Sequence, residues 1–394
     1  MNRTHHRWAV VLLALTLTGA ATTAAFAEDF DSPTFQPVTA EVLAQGNSFT
    51  AVSRGYNALF TNPAGLARTG GSFTLLTFQP TAYFFPSSEN LDALSSIADD
   101  PAGAISSASD LILDNGLGIS SDLGAIGIAG RRFGLALASD IDIYGRGGIT
   151  ALGTTVDVAS TIGLVGGFAW PFPIGGDTLN VGGTVKILRR SEVRDLGLLD
   201  LLEAANSESG DSKIQIPVYS GAGLGFDIGA LYERGNWSAG LSFRDVFGTD
   251  FAYSVSDTLD PNQLGDVLAG EAGSGSVSDR YRIPMSMNIG AAWDPQPSGV
   301  LGFFFDPMVH FDYQNMFFAE SDPSFWTKVH FGAEVKTFRF LKARAGLNQG
   351  YGTLGLGAKL LFLDVNIAYY TREMGENVGS APNQALAMEV AIRF

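Results

Sequence analysis

The chain has 394 residues, with 24 basic against 40 acidic side chains, a formal charge of −16, 48 glycines and no cysteine. The missing cysteine excludes a disulfide framework, a lipid-modified cysteine and thiolate metal sites. The acidic balance argues against a nucleic-acid partner, and the length, high glycine and 16% charged content allow two soluble domains or one large barrel.

Residues 1–27 read as a secretory signal. Arg3 and Arg7 make a basic start, Trp8 to Leu17 an apolar stretch, and Ala25-Phe26-Ala27 a small-x-small cleavage site. A membrane anchor is the alternative, but the apolar core is short and thinned by Thr16 and Thr18. No later segment approaches the ~18 uninterrupted apolar residues of a spanning helix. Cleavage would leave 22 basic against 40 acidic residues, a net charge of −18. Export without a membrane helix leaves the periplasm, the outside world or the outer membrane.

Residues 28–71 lack the alternation of a barrel strand. An acidic leader (Glu28, Asp29, Asp31) precedes a small-residue stretch, Gly46 to Val52, and then the run Asn57 to Ala67. Within that run Asn62-Pro63 starts a turn, because proline fixes its own φ and pushes Asn62 away from the helical region. Gly65 then permits close backbone approach. By itself Asn62-Pro63-Ala64 is equally an ordinary loop before a strand.

From residue 72 onward about fourteen segments of roughly ten to fifteen residues alternate in polarity, where outer-membrane strands need ~9–11 to cross. The prediction is an all-β fold: an antiparallel transmembrane β-barrel of about fourteen strands over 72–394, with residues 28–71 as a hatch in its lumen. The clearest segments are 218–232, 237–244, 281–293, 309–317, 328–336, 363–370 and 384–394. In 281–293, Tyr281, Ile283, Met285, Met287, Ile289 and Trp293 share one face, and Arg282, Ser286, Asn288 and Gly290 the other. One such strand also fits a soluble sandwich, but fourteen in series with aromatic ends (Trp170, Trp237, Trp293, Trp326) favour lipid outside. Short connections are expected near Gly130–Arg132, Pro171–Gly176, Gly235–Asn236, Asp294–Ser298 and Phe338–Phe340. Long ones span about 86–118, 192–215 and 248–280, each with room for a short helix: Leu91, Leu94 and Ile97, then Leu196 to Leu202, then Leu264, Val267 and Leu268. These three stretches hold 18 of the 40 acids, so the acidic charge gathers at one rim.

The last nine residues put Leu386, Met388, Val390, Ile392 and Phe394 on one face, with Glu389 and Arg393 between them. A terminal strand ending on Phe394 looks like the sorting signal read by the barrel-assembly machinery.

Alternation turns Lys186, Arg244, Arg282, Lys328, Lys336, Lys342, Arg344, Lys359 and Arg393 inward, along with Asp140, Asp142, Asp227, Asp312, Glu334, Asp364 and Glu389. Most of these form a ladder of cross-strand ion pairs on the plain structural reading. On the functional reading, one or two among Lys186, Arg244, Arg282, Lys328, Lys336 and Arg344 hold an anionic head group beside an apolar pocket. Pro284 lies inside a strand, so a bulge or kink is expected there. Enzymatic readings are weak. Residues 28–394 carry two histidines, His310 and His330, with no HExxH spacing, and no metal or cofactor is expected.

The small-residue stretch, the run Asn62-Pro63-Ala64-Gly65-Leu66-Ala67 and the strand that follows resemble the FadL-like outer-membrane transporters of hydrophobic compounds. That resemblance implies a fourteen-stranded barrel with Asn62, Pro63 and Ala64 in a lumenal hatch. It also implies passive uptake of long-chain fatty acids or similar molecules, docked first at the outer loops, by a barrel surrounded by outer-membrane lipid. The same run, with Arg344 to Tyr351, is also similar to PorV-like barrels, which serve protein secretion, and the acidic leader departs from the fatty-acid transporters. The two readings differ in substrate and not in fold.

Overall fold

The computed structural model describes residues 35–68, 72–83, 118–123, 125–146, 155–197, 217–256, 275–316, 324–373, 377–379 and 382–394. The signal segment 1–27, the acidic leader and the loop positions Leu91, Leu94, Leu264 and Leu268 lie outside these residues.

Seventeen hydrogen-bonded segments close into one antiparallel sheet. They make fourteen strands, because three strands are each interrupted once. In chain order these are β1 (Ser72–Tyr83), β2 (Gly118–Leu123 and Ala125–Gly130), β3 (Phe133–Arg146), β4 (Thr155–Ile174) and β5 (Asp177–Gly197). Next come β6 (Val218–Arg234), β7 (Trp237–Arg244 and Thr249–Ser256), β8 (Gly275–Ile283 and Ser286–Trp293), β9 (Asp306–Tyr313) and β10 (Val329–Thr337). The last four are β11 (Leu341–Asn348), β12 (Tyr351–Leu360), β13 (Leu363–Glu373) and β14 (Pro382–Arg393). Each pairs with the next, and β1 pairs with β14, so no edge is left open.

Period-two alternation explains the wall. On β6, Leu224, Phe226 and Ile228 point out and stay exposed, while Asp227 and Leu231 point in and are buried. The same holds on β14, where Leu386 and Met388 face out and Ala387, Glu389 and Ala391 face in. A continuous apolar belt outside and a polar interior is the inverse of a soluble sandwich, and it fits a wall surrounded by lipid. The fold is that of an outer-membrane barrel. Strands β4 and β5, with 20 and 21 residues, exceed the ~9–11 needed to cross and so rise beyond the membrane at one rim.

The rims differ as expected, with shifted boundaries. On one rim, turns of two residues join β2 to β3, β4 to β5, β6 to β7 and β12 to β13, and one of three joins β10 to β11. On the other, the two-residue turn Gln349–Gly350 between β11 and β12 is the exception among longer connections. The barrel's chain ends, Ser72 and Phe394, lie on the short-turn side. The expected turn Pro171–Gly176 shrinks to Gly175–Gly176, with Pro171 and Pro173 inside β4. Pairing between β3 and β4 ends at Phe133 and Phe168, so these prolines cost no ladder bond on that side. The expected turn Asp294–Ser298 is instead a twelve-residue connection containing the helix Gly299–Phe304. On the opposite rim β7 extends to Ser256 and β8 begins at Gly275, so both ends of 248–280 are strand, and β5 runs to Gly197, so Leu196 belongs to a strand and not to a loop helix.

The largest departure lies at β7 and β8. Arg244 pairs with Ser286, and beyond them Thr249 pairs with Ile283. Four residues of β7 therefore face two of β8, Pro284 and Met285. Asp245, Phe247 and Gly248 there all have positive φ. Proline cannot donate to the ladder, and the irregular pair resets the inside–outside phase of both strands. Tyr281 and Ile283 consequently turn inward against Phe251 and Tyr253, and Arg282 turns outward. Uninterrupted alternation through 281–293 predicted the reverse.

Candidate functional site

Residues 35–68 are buried against the inward-facing side of the wall, in one short α-helix (Ala40–Leu43) and two 3-10 turns (Gly55–Leu59 and Pro63–Ala67). Asn62 caps the last turn: its side-chain oxygen accepts from the Ala64 amide at 3.1 Å, and Pro63 occupies the first helical position, where an N–H would be unused. The Asn62 amide group donates to Thr50 O at 3.0 Å and to Ala230 O on β6 at 3.1 Å. Asn62 and Ala64 are fully enclosed. This trio thus ties the segment both to itself and to the wall.

Glycines on the inner face make room for it. A Cβ at Gly182 would lie 2.6 Å from Pro63 O, and one at Gly229 would collide with the Asn62 side chain. Gly46, at φ +66°, rests on the carbonyls of Phe331 and Leu347. Wall glycines such as Gly182, Gly229, Gly240 and Gly346 therefore form a socket for the N-terminal segment.

Polar wall residues supply the rest of the grip. Asp312 accepts from the amides of Phe49 and Thr50, both at 2.8 Å. Gln79 accepts from the Ala40 amide at 2.6 Å and donates to Val38 O at 2.9 Å. His310 bonds Ser48 at 2.9 Å and Gln45 at 3.0 Å, and His330 bonds Gly46 O at 2.8 Å. Both histidines are thereby used as anchors. Ser48 is enclosed beside His310 with no carboxylate behind the imidazole, so this pair lacks the third group that would orient it for nucleophilic chemistry.

A charged network joins segment and wall. Glu41 reaches Arg54 at 2.9 Å, Lys342 at 3.7 Å and Arg344 at 3.7 Å. Arg344 bonds Glu334 at 2.7 Å and Asn366 at 2.8 Å, and Asn366 donates to Glu389, which pairs with Arg393 at 2.5 Å. Lys336 lies 3.7 Å from Glu334 and 3.8 Å from Asp306. Burial alone would raise the Glu41 carboxyl, but Lys342, Arg344 and Arg54 outweigh it and hold the group well below its ordinary value.

The six candidate head-group residues therefore separate. Arg344 and Lys336 belong to this network. Lys186 is buried between Asp227 and Asp245, 2.7 Å from each. Lys328 ends a 3-10 turn at the long-loop rim, half-buried and already partnered. Arg282 is a correction: it faces out, its side chain 60% exposed, donating to Phe247 O at 2.7 Å and lying 3.6 Å from Asp250. Arg244 differs from all five. It faces inward, only 4% exposed, and among the described residues it has neither an ion pair nor a hydrogen bond from its side chain. Just past the interruption on the same two strands, Phe251, Tyr253 and Ile283 form one apolar cluster with Phe35, Tyr56 and Phe60 of the N-terminal segment.

Sequence reasoning missed Arg190, whose guanidinium lies over the Tyr281 ring at 4.4 Å while bonding Glu192 at 3.0 Å. The signal available was its even position on β5, shared with Lys186. What concealed the pairing was the inverted phase of Tyr281.

This architecture matches solved barrels. A FadL homologue from Pseudomonas aeruginosa superposes with a TM-score of 0.50 at 13% identity, covering 93% of this chain and 99% of that one. The fold is that of the FadL-type barrels. The toluene transporter TbuX of Ralstonia pickettii superposes with a TM-score of 0.46 at 13% identity, over 93% of this chain and 99% of its own. For the toluene transporter TodX of Pseudomonas putida the values are 0.45, 11%, 91% and 97%. No family model matches the sequence, and no curated protein matches it.

Proposed function

We propose that the chain is an outer-membrane channel for passive entry of hydrophobic small molecules, with residues 28–71 as its hatch. The observation that carries this reading is Arg244. A cation enclosed at membrane depth without a carboxylate is costly, and such a group beside an apolar, aromatic cluster suits a ligand with an anionic head and an apolar tail. A long-chain fatty acid has that chemistry. The head group would meet Arg244 while the chain packs along Phe251, Tyr253 and Ile283. The likeness to the FadL homologue supports the fold on which this reading rests.

The test is binding of a radiolabelled long-chain fatty acid to the folded, detergent-purified barrel, with the matching long-chain alcohol and toluene as neutral probes. Saturable binding of the acid is expected, and Arg244→Gln should weaken it about tenfold, the ~1.4 kcal/mol of one charge-assisted hydrogen bond. Neutral probes should be unaffected. Equal loss for acid and alcohol would remove Arg244 from head-group recognition.

A second reading draws on the density of the grip on residues 35–68, whose partners run from Gln79 on β1 through Ala230, Asp312 and Thr353. A plug held this widely also suits a PorV-like barrel whose lumen stays closed and which works in protein secretion or surface assembly. Absence of any ligand binding, with secreted proteins co-purifying, would favour that reading.

A further inference from the structure

The short-turn rim carries one long connection among the described residues. Between β8 and β9 the chain inserts the helix Gly299–Phe304, whose sequence GVLGFF contains no polar side chain and none of whose residues is buried. Phe305 follows, also exposed. Val300 is 77% exposed and Leu301 63%. In water such a surface would be a liability, since apolar residues gathered in one exposed patch drive association.

Its position shows what it faces. On β10 the inward residues are His330, Gly332, Glu334 and Lys336, so Thr337 points to the outer face. The Thr337 hydroxyl donates to Phe304 O at 3.1 Å, and the Phe338 amide donates to Phe303 O at 2.8 Å. The helix is thus tied to the outside of the wall and not to the lumen. Its rings continue into the turn that follows β10: Phe338 lies 5.7 Å from Phe303, 5.3 Å from Phe304 and 6.3 Å from Phe340. Leu341, next in the chain, belongs to the exposed outer belt.

We propose that the helix Gly299–Phe304, with Phe305 and Phe338, is an interfacial anchor that packs among glycerophospholipid acyl chains at the periplasmic boundary of the membrane. Two observations carry it: the surface is continuous with the lipid-facing belt, and the rim with short turns is the periplasmic one in barrels of this layout. A short uncharged helix lying in the plane of the boundary buries its apolar residues in the acyl region while its polar flanks, Asp294, Gln296 and Ser298, stay at the water side. The partner is therefore lipid.

The cysteine-free chain makes the test direct. Val300→Cys, Asn236→Cys and Leu354→Cys are each labelled with a bimane fluorophore, and the full barrel is reconstituted in phosphatidylethanolamine–phosphatidylglycerol vesicles. Leu354 lies on the exposed face of β12, and Asn236 lies in a two-residue turn. Heat-modifiable gel mobility verifies folding of each variant. Lipids carrying a quencher near the head of the acyl chain should quench the label at 300 as they do at 354, with loss of the iodide quenching seen at 236. Iodide quenching at 300 equal to that at 236, without lipid quenching, would put the helix in water and overturn the anchor. Protection from both quenchers would mean that protein covers it, which overturns the proposal equally.

Discussion

At the scale of single residues, Glu41 is where charge and position are most tightly coupled. It sits on the N-terminal segment but reaches three cations, Arg54 on the segment and Lys342 and Arg344 on the wall. Because its folded-state pKa lies well below the ordinary 4.5, its contribution is full above that value and is lost as pH falls through the depressed one. The segment should therefore stay seated at neutral pH and loosen only in acid, below about pH 4.5. Glu41→Gln removes the anion and leaves the cations facing one another, a loss of up to about 3 kcal/mol for a buried pair broken on one side. Single-channel conductance in planar bilayers is the check. The wild type should be closed at neutral pH and open in acid, whereas the variant should open at neutral pH. A variant as closed as the wild type would mean that the Asn62, Asp312 and Gln79 contacts suffice. That Arg344, Lys336 and Glu334 share the inner face was legible in the sequence from alternation, but that the two cations pair with Glu334 was not, since the same pattern also suited a head-group site. Glu41 was not, because nothing local says which wall a buried helix will meet.

At the scale of elements, the sockets and the interruption govern how the segment and the strands fit. Gly182 and Gly229 lie on the neighbouring strands β5 and β6, and both back onto Asn62-Pro63. At Gly182 the obstacle is the Pro63 backbone, which leaves a valine no room to relax. Gly182→Val should unseat the Pro63–Ala67 turn while leaving the β5–β6 ladder intact, since valine suits a strand. Limited proteolysis on the folded barrel should then cut within residues 35–68, whose burial should protect them in the wild type. Protection equal to wild type would mean that the wall yields instead. Regular alternation made most strands readable, because one side chain in two must face lipid. It failed at Tyr281, Arg282 and Ile283 for a physical reason: the phase is reset by four residues of β7 opposite two of β8. Pro284 marked the place, but its partner insertion, Asp245 to Gly248, carries only one glycine. The helix Gly299–Phe304 was hidden differently, since an apolar run of that length reads as well as part of a strand.

At the scale of the whole molecule, closure depends on one seam between the first and last strands. Phe73 and Phe394 exchange backbone hydrogen bonds at 3.1 and 3.0 Å, and their rings stack at 6.5 Å, with Phe362 a further 5.7 Å from Phe394. Because the bonds are made by the backbone, Phe394→Ala keeps them and removes only a ring that faces the lipid side. The cost to the folded barrel is bounded by the transfer value of one phenylalanine, at most about 3 kcal/mol, spread over a wall closed by fourteen strands. If Phe394 is read by the assembly machinery, the cost in cells should be larger than that. Two measurements separate the roles: refolding of the purified variant into detergent micelles, and the fraction of heat-modifiable barrel recovered from the outer membrane. Refolding close to wild type with a strong drop in cellular yield assigns Phe394 to sorting. A parallel loss in both assigns it to the seam, because a ring needed only for recognition has no effect where no machinery is present.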